Sequence, residues 1–259
     1  MFGRRTYKQI IKSPFRRENY VALFNMVRVY PDFVQNFIRY VTGGGHYPYH
    51  IQVRTPVGVI APKLYSHHDI RTVNEIFCRG EYFTDATVRT VVDIGSNIGI
   101  SALYFLTRNK KSKCYLYEPD ARNIAKLRDN LSGFEDRYRL VEAAVSYESG
   151  KLEFGVEPTG RYGGIGVKTG KTITVDCLNI NDVVGEVLKE VKCIDVLKID
   201  TEGVEVKTVE AIDPELAKRI KTIYLDARPI SHLHPELFWQ KQYGWACQLT
   251  NKCDLSSES

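Results

Sequence analysis

The chain has 259 residues, 43% of them apolar, and a formal net charge of +5. That length and apolar content suit one substantial core with an extension and argue against two full domains. No apolar run reaches the roughly 18 residues that a membrane span needs, and the N-terminus has no signal-peptide core, so a cytoplasmic protein is expected. The six cysteines include no Cys-x-x-Cys pair, which argues against a zinc knuckle or redox motif and leaves them as small, reduced apolar residues.

Positive charge is concentrated at the start, where Arg4, Arg5, Lys8, Lys12, Arg16 and Arg17 precede the first acid, Glu18. A solvated arm is the simple reading. Attraction to an anionic partner, whether a nucleotide-linked sugar, a lipid-linked glycan at a membrane surface or RNA, is the sharper one. Residues 18–41 carry Phe24, Val27, Phe33, Phe37 and Val41 at spacings of three to four or more, interrupted by Pro31, which predicts two short helices packing inward through that stripe. Gly43, Gly44 and Gly45 break the pattern, and residues 50–54 and 57–61 flank a Pro-Val-Gly turn as a hairpin. Residues 1–68 are therefore expected to form a cap and residues 69–259 a single α/β domain.

The most informative stretch is VVDIGSNIG at residues 91–99. Val91, Val92 and Ile94 suit a strand buried on both faces, and the apolar spacing of residues 98–106 continues as a helix. Gly95 and Gly99 fall in the tight turn between them, where a missing Cβ lets a ligand approach the backbone. A dinucleotide fingerprint would place glycine where Asn97 stands, so a pyrophosphate is disfavoured and S-adenosylmethionine, which has no phosphate, fits better.

Later segments extend this reading. A second strand at 113–118 ends in Glu118-Pro119-Asp120, where a carboxylate can accept from both hydroxyls of a ribose, or else begin the helix at 120–131 as an N-terminal charge. A third strand, 138–144, ends in Glu142, Ala143 and Ala144, whose two alanines either leave room for a flat adenine or are ordinary packing at a strand end. The insertion that follows, residues 151–156, the GRYGGIG loop and 172–177, is either a substrate-access device or a bent hairpin. A fourth strand leads into KIDTEGVE, setting Asp200, Glu202 and Glu205 at the sheet edge where open α/β proteins do chemistry. Asp226 ends a fifth strand, and His232 and His234 lie in the loop beyond it. Little length then remains for a closing antiparallel hairpin, so the sheet edge is expected to be either shortened or completed otherwise.

The order of these motifs resembles the FkbM-type S-adenosylmethionine-dependent methyltransferases, across residues 69–226. DIGSNIG is similar to the family's first motif, EPD to its ribose-binding acid, EAAVS to its adenine motif, and LKIDTEGVE to its most specific sequence. The resemblance implies a Rossmann-like class I methyltransferase fold, with helices on both faces of the sheet and an N-terminal helical and hairpin extension. It implies cofactor contacts at Asp93, Gly95, Ser96, Asn97, Gly99, Glu118, Pro119, Glu142, Ala143, Ala144 and Asp200. The lead-in HHDIRTVNEIFCRGEY, with Asp69, Glu75 and Tyr82, further suggests a lid over the methionine moiety. Two positions depart from the family pattern: Asp226 stands where Glu is common, and Glu142 where Asn is expected.

The implied reaction is O-methylation of a hydroxyl on a sugar, glycan or natural product, leaving S-adenosylhomocysteine. The methyl donor is already activated, so the protein must align the acceptor and remove its proton. Asp200, Glu202, Asp226 and His232 are the candidate bases. A divalent metal such as magnesium, held by Asp200, Glu202 or Asp226 with His232, is left open, since the spacing does not establish it. An RNA methyltransferase and a non-catalytic cofactor-binding module stand as alternatives, the former disfavoured because no Asn-Pro-Pro-Tyr-type base-flipping signature is present. A homo-oligomer and peripheral membrane contact through the basic arm are also left open.

Overall fold

The computed structural model describes residues 17–156, 164–165, 171–201, 203–243 and 246–253. The basic residues before Arg17, most of the GRYGGIG loop, Glu202 and Trp245 lie outside the described residues. The chain divides into two compact units, Met1–Phe83 and Thr84–Ser259.

In the first unit, α1 (Arg17–Val29) and α2 (Phe33–Thr42) flank Pro31 as expected. Gly43 ends α2 in the left-handed region at φ +68, its N–H donating to the Arg39 carbonyl at 2.8 Å. The expected inward stripe is corrected by the structure, since Phe24, Val27, Phe37 and Val41 are exposed. The side chains that turn inward are Ala22, Met26 and Tyr30 of the first helical segment and its end, at four-residue intervals, and Asn36 of α2. Strands β1 (Tyr49–His50) and β4 (Lys63–Leu64) pair with each other, and β2 (Val53–Thr55) with β3 (Gly58–Ile60) forms the expected hairpin. Helix α3 (His67–Val73) starts at a capping box in which Asp69 accepts from the Tyr65 and Ser66 amides. It runs into a wider π turn, Asn74–Arg79, that Gly80 terminates at φ +69. The Cys78 carbonyl of that turn accepts from Asn25 of α1, so the segment expected to open the second domain packs within the first unit.

The second unit is built on a seven-stranded sheet. Its strands are β5 (Thr90–Ile94), β6 (Lys113–Tyr117), β7 (Tyr138–Val141), β12 (Ile194–Ile199), β13 (Ile220–Leu225), β14 (Phe238–Tyr243) and β15 (Ala246–Asn251), in the order β14-β15-β13-β12-β5-β6-β7. The five strands from β13 to β7 are parallel, and β15 and β14 close the other edge antiparallel. The closing hairpin is thus present, and the sheet edge is not shortened. Residues 238–243 were hard to read as a strand because Phe238 is their only buried side chain.

Helices α4 (Ile100–Leu106), α5 (Ala121–Asn130), α6 (Ile180–Glu190), α7 (Glu205–Glu210) and α8 (Pro214–Ala217) connect these strands. Strand alternation sends Val92 and Ile94 into a core with Val183, Val184 and Val187 of α6, while Asp93 points the other way, to Ser101 of α4. Helices accordingly cover both faces. Each fully buried aliphatic side chain in this core contributes about 1.5–3 kcal/mol.

The expected third strand divides. After Val141 the chain leaves the main sheet, and β8 (Ala144–Ser146) pairs in parallel with β11 (Thr172–Asn179) in a separate four-stranded sheet. That sheet also holds β9 (Gly150–Gly155) and β10 (Gly164–Ile165), so the insertion is a small sheet with its own core of Ala144, Phe154, Val156, Val175 and Cys177.

Candidate active site at the carboxyl edge of the sheet

Backbone hydrogen bonds knit the ends of five parallel strands into one row. The Glu118 amide donates to the Val141 carbonyl, the Gly95 and Ser96 amides to Tyr117, the Asp200 amide to Ile94, and the Asp226 amide to Ile199. The chain therefore sets Glu118, the Gly95 loop, Asp200 and Asp226 side by side at the ends of β6, β5, β12 and β13.

The glycines in this row serve a different purpose from the one expected. A Cβ on Gly95 would lie 1.9 Å from the Asp200 carbonyl oxygen, and Gly95 has φ +76. Gly99, at φ +86, would press its Cβ to 3.3 Å from Leu127 of α5. Close approach of the protein to itself thus requires both glycines, whatever ligand binds. Ser96 is likewise turned inward, its hydroxyl donating to the Asp93 carbonyl at 2.7 Å.

Glu118 is buried at the end of β6. Its Oε2 accepts from the Asn97 amide at 2.8 Å, and its Oε1 from the Asp120 amide at 3.0 Å and Asn123 Nδ2 at 3.3 Å. Asn97, at φ +48, is held in the left-handed region, which aims its amide at this carboxylate. Burial pushes the Glu118 carboxyl up to about 7 even against these three donors. A carboxylate has about four acceptor sites and these donors take three, so Oε2 keeps one for a hydroxyl such as a ribose supplies. The residues present therefore fit an adenosine ligand here. Pro119 is half-buried beside it, and Asp120 caps α5 through the Arg122 amide.

Behind the row lies the residue the sequence reading passed over, Lys198. Lys198 and Asp93 are register partners on β12 and β5. The ammonium lies 2.9 Å from Asp93 Oδ1 and 3.6 Å from Asp200 Oδ2, and it donates to the Gly95 carbonyl at 3.0 Å. Its side chain is 2% exposed and that of Asp93 is 0% exposed. Burial works to lower the Lys198 pKa, but Asp93 and Asp200 outweigh it and hold it above the ordinary lysine value. Asp93 Oδ2 accepts from Ser101 at 2.6 Å, so both of its oxygens are engaged by the protein, which reads as a structural latch beneath the edge. Asp200, at 30% exposure, is the carboxylate this latch presents outward.

The remaining candidates scatter. Asp226 is exposed at the end of β13, and His232 is exposed in the following loop. His234 shares its Nε2 with the Val209 carbonyl of α7 at 2.9 Å, tying that loop to the helix. Glu205 folds back to accept from the Thr201 and Gly203 amides, clamping the turn after β12. Glu142 is exposed and pairs with Arg128 at 2.8 Å, whereas Ala143 and Ala144 are buried. Glu75 and Tyr82 belong to the first unit, Glu75 in the π turn and Tyr82 buried just after it. Among the described residues, no group of three or more His, Cys, Asp and Glu side chains is gathered to hold a metal ion.

A parallel five-stranded block closed by an antiparallel hairpin, with an acid at the end of its second strand, is the class I, Rossmann-like methyltransferase architecture. Within that class, the family model described as the methyltransferase FkbM domain matches residues 93–239, and the chain belongs to this family. The chain is 41% identical over 64 residues to 2-O-methyltransferase NoeI of Sinorhizobium fredii (strain NBRC 101917 / NGR234), a match covering 25% of this chain and 26% of that protein. It is 25% identical over 233 residues to methyltransferase sdnD of Sordaria araneosa, covering 71% of this chain and 86% of that protein. The chain thus spans about a quarter of the first relative and most of the second. A crystal structure of methyltransferase FkbM from Methylobacillus flagellatus KT is similar at 13% identity with a TM-score of 0.44, covering 96% of this chain and 63% of that one.

Proposed function

We propose that this protein transfers a methyl group from S-adenosylmethionine to a hydroxyl of a sugar, glycan or natural-product small molecule, releasing S-adenosylhomocysteine. The observation that carries the reading is the placement of a buried, under-solvated Glu118 and an outward Asp200 on the strand ends either side of β5, in a chain of the FkbM family. The relative named as a 2-O-methyltransferase supports an oxygen acceptor.

Bound S-adenosylmethionine would supply an already activated methyl group. Glu118 would accept from the ribose hydroxyls, held in place by the Asn97 and Asp120 amides. Asp200 takes the acceptor's proton, with Lys198 fixing its carboxylate at the sheet edge. Asp226, Glu202 and His232 are the other bases this proposal keeps in play.

The test is to incubate the protein with methyl-labelled S-adenosylmethionine and fractionated cell extract, with Glu118→Ala as control. Label entering saccharide or glycolipid material only with the wild type supports the reading. Label that is released by nuclease would replace it with nucleic-acid methylation, and cofactor binding without any transfer would leave a binding module.

A further inference from the structure

We propose that α1 and α2 form a docking face for the surface of an anionic lipid bilayer, with the helices lying in the interface and not crossing it. Helix α2 has a pattern inverted for a helix of a water-soluble protein. The one buried side chain of α2 is polar, Asn36 at 0% exposure, its Oδ1 accepting from the Tyr49 hydroxyl at 2.9 Å. Arg39 also faces the unit, its guanidinium 3.9 Å from the Tyr49 ring. The outward stripe is apolar instead, with Val34 at 67%, Ile38 at 55% and Val41 at 61% exposure, at the four- and three-residue steps of a single helical face. Helix α1 continues the theme with Val21, Phe24 and Val27 exposed at steps of three. Scattered surface apolar residues are ordinary, but two consecutive helices each presenting such a stripe are not.

Charge identifies the occupant. Residues 1–42 contain eight Lys and Arg against two acids, a net charge of +6, whereas the whole chain carries +5. All of the molecule's excess positive charge therefore belongs to the segment that holds the apolar stripes, and the remaining residues are close to neutral. Arg28 sits beside this surface, its guanidinium 4.8 Å from the Phe24 ring centre. Apolar stripes carried on a segment of net charge +6 match a membrane interface bearing anionic headgroups, where burial of the stripe and attraction to the headgroups add. A second copy of the chain would bring the same net positive segment against itself. No helix among the described residues is long and apolar enough to cross a membrane, in keeping with a face that lies on the bilayer.

Sedimentation of the full chain with phosphatidylcholine vesicles, with and without phosphatidylglycerol, tests this. The wild type should sediment with the anionic vesicles, less so as salt is raised, and weakly with the neutral ones. Ile38→Asp and Phe24→Ser, both at exposed positions, should each lower the bound fraction at least about tenfold at limiting lipid while leaving thermal unfolding unchanged. No sedimentation of the wild type at low salt overturns the proposal. So does binding that survives both substitutions, which would reduce the contact to charge alone. Conversion of a dimer to a monomer by Ile38→Asp, with vesicle binding unaltered, overturns it in favour of a second copy.

Discussion

Replacing Lys198 by Met probes the latch beneath the site most sharply. The ammonium is almost fully buried, 2.9 Å from an Asp93 carboxylate that has no solvent exposure, and it also serves the Gly95 carbonyl. Deleting the cation leaves Asp93 with Ser101 as its side-chain donor and a charge that water cannot reach. Removing one partner of a buried ion pair costs about 3–5 kcal/mol. In a unit of this size each kcal/mol moves the melting temperature by about 2–4 °C, so Lys198→Met should melt roughly 6–20 °C below the wild type. Adding Asp93→Asn should recover at least about 2 kcal/mol, because the stranded charge is then gone. Thermal unfolding followed by circular dichroism on both single variants and the double variant gives the coupling directly. A loss under about 2 °C for Lys198→Met, or strict additivity in the double variant, would refute the buried latch.

Other expectations follow from the same edge. Gly95→Ala should destabilise far more than Gly133→Ala, because both glycines have positive φ but only at Gly95 would the new Cβ meet backbone, the Asp200 carbonyl. Gly133→Ala should cost only the roughly 1–2 kcal/mol of a left-handed alanine, as urea titration of the two variants will show. For Glu118, burial raises the carboxyl to about 7, so in the ligand-free protein its stabilising contribution is complete below the ordinary glutamate value and lost as pH rises through about 7. A ribose that needs the ionised form reverses this for binding: affinity for S-adenosylhomocysteine should hold above about pH 8 and fall close to tenfold per unit below about pH 6. Calorimetry across that range should find Glu118→Gln weak and flat. Asp200→Asn should lower kcat by about a hundredfold or more with cofactor affinity little changed, whereas loss of activity confined to His232→Ala would move the base to that loop.

How much of this was legible in the sequence depended on whether a signal was local. DIGSNIG and EPD each carry their strand, turn and acid within a few residues, so the carboxyl edge could be drawn before any coordinates. The Lys198–Asp93 pair has a signal too, though a distributed one: VVDI and VLKI each place one charged residue just before the last apolar residue of a buried strand. Only the knowledge that β5 and β12 are neighbours in register turns those two isolated charges into a pair. The departure of the chain at Glu142 was invisible for a similar reason, since Ala144–Ser146 is strand in either sheet and its partner, β11, lies across the insertion. Periodicity misled at α1 and α2, where an apolar stripe was equated with the inward face. The chain there spends its inward positions on Ala22, Met26, Tyr30 and Asn36 and shows the larger stripe to the outside.

The central claim is that the β5 and β6 strand ends seat the adenosine of S-adenosylmethionine through Glu118. Calorimetric titration of S-adenosylhomocysteine into wild type and Glu118→Ala at about pH 8, where the carboxylate is mostly ionised, tests it most directly. The account predicts saturable binding by the wild type and a loss of about tenfold to a hundredfold in the variant, the worth of hydrogen bonds to a charged acceptor. Equal affinity in the two proteins, with both fully folded, would contradict it.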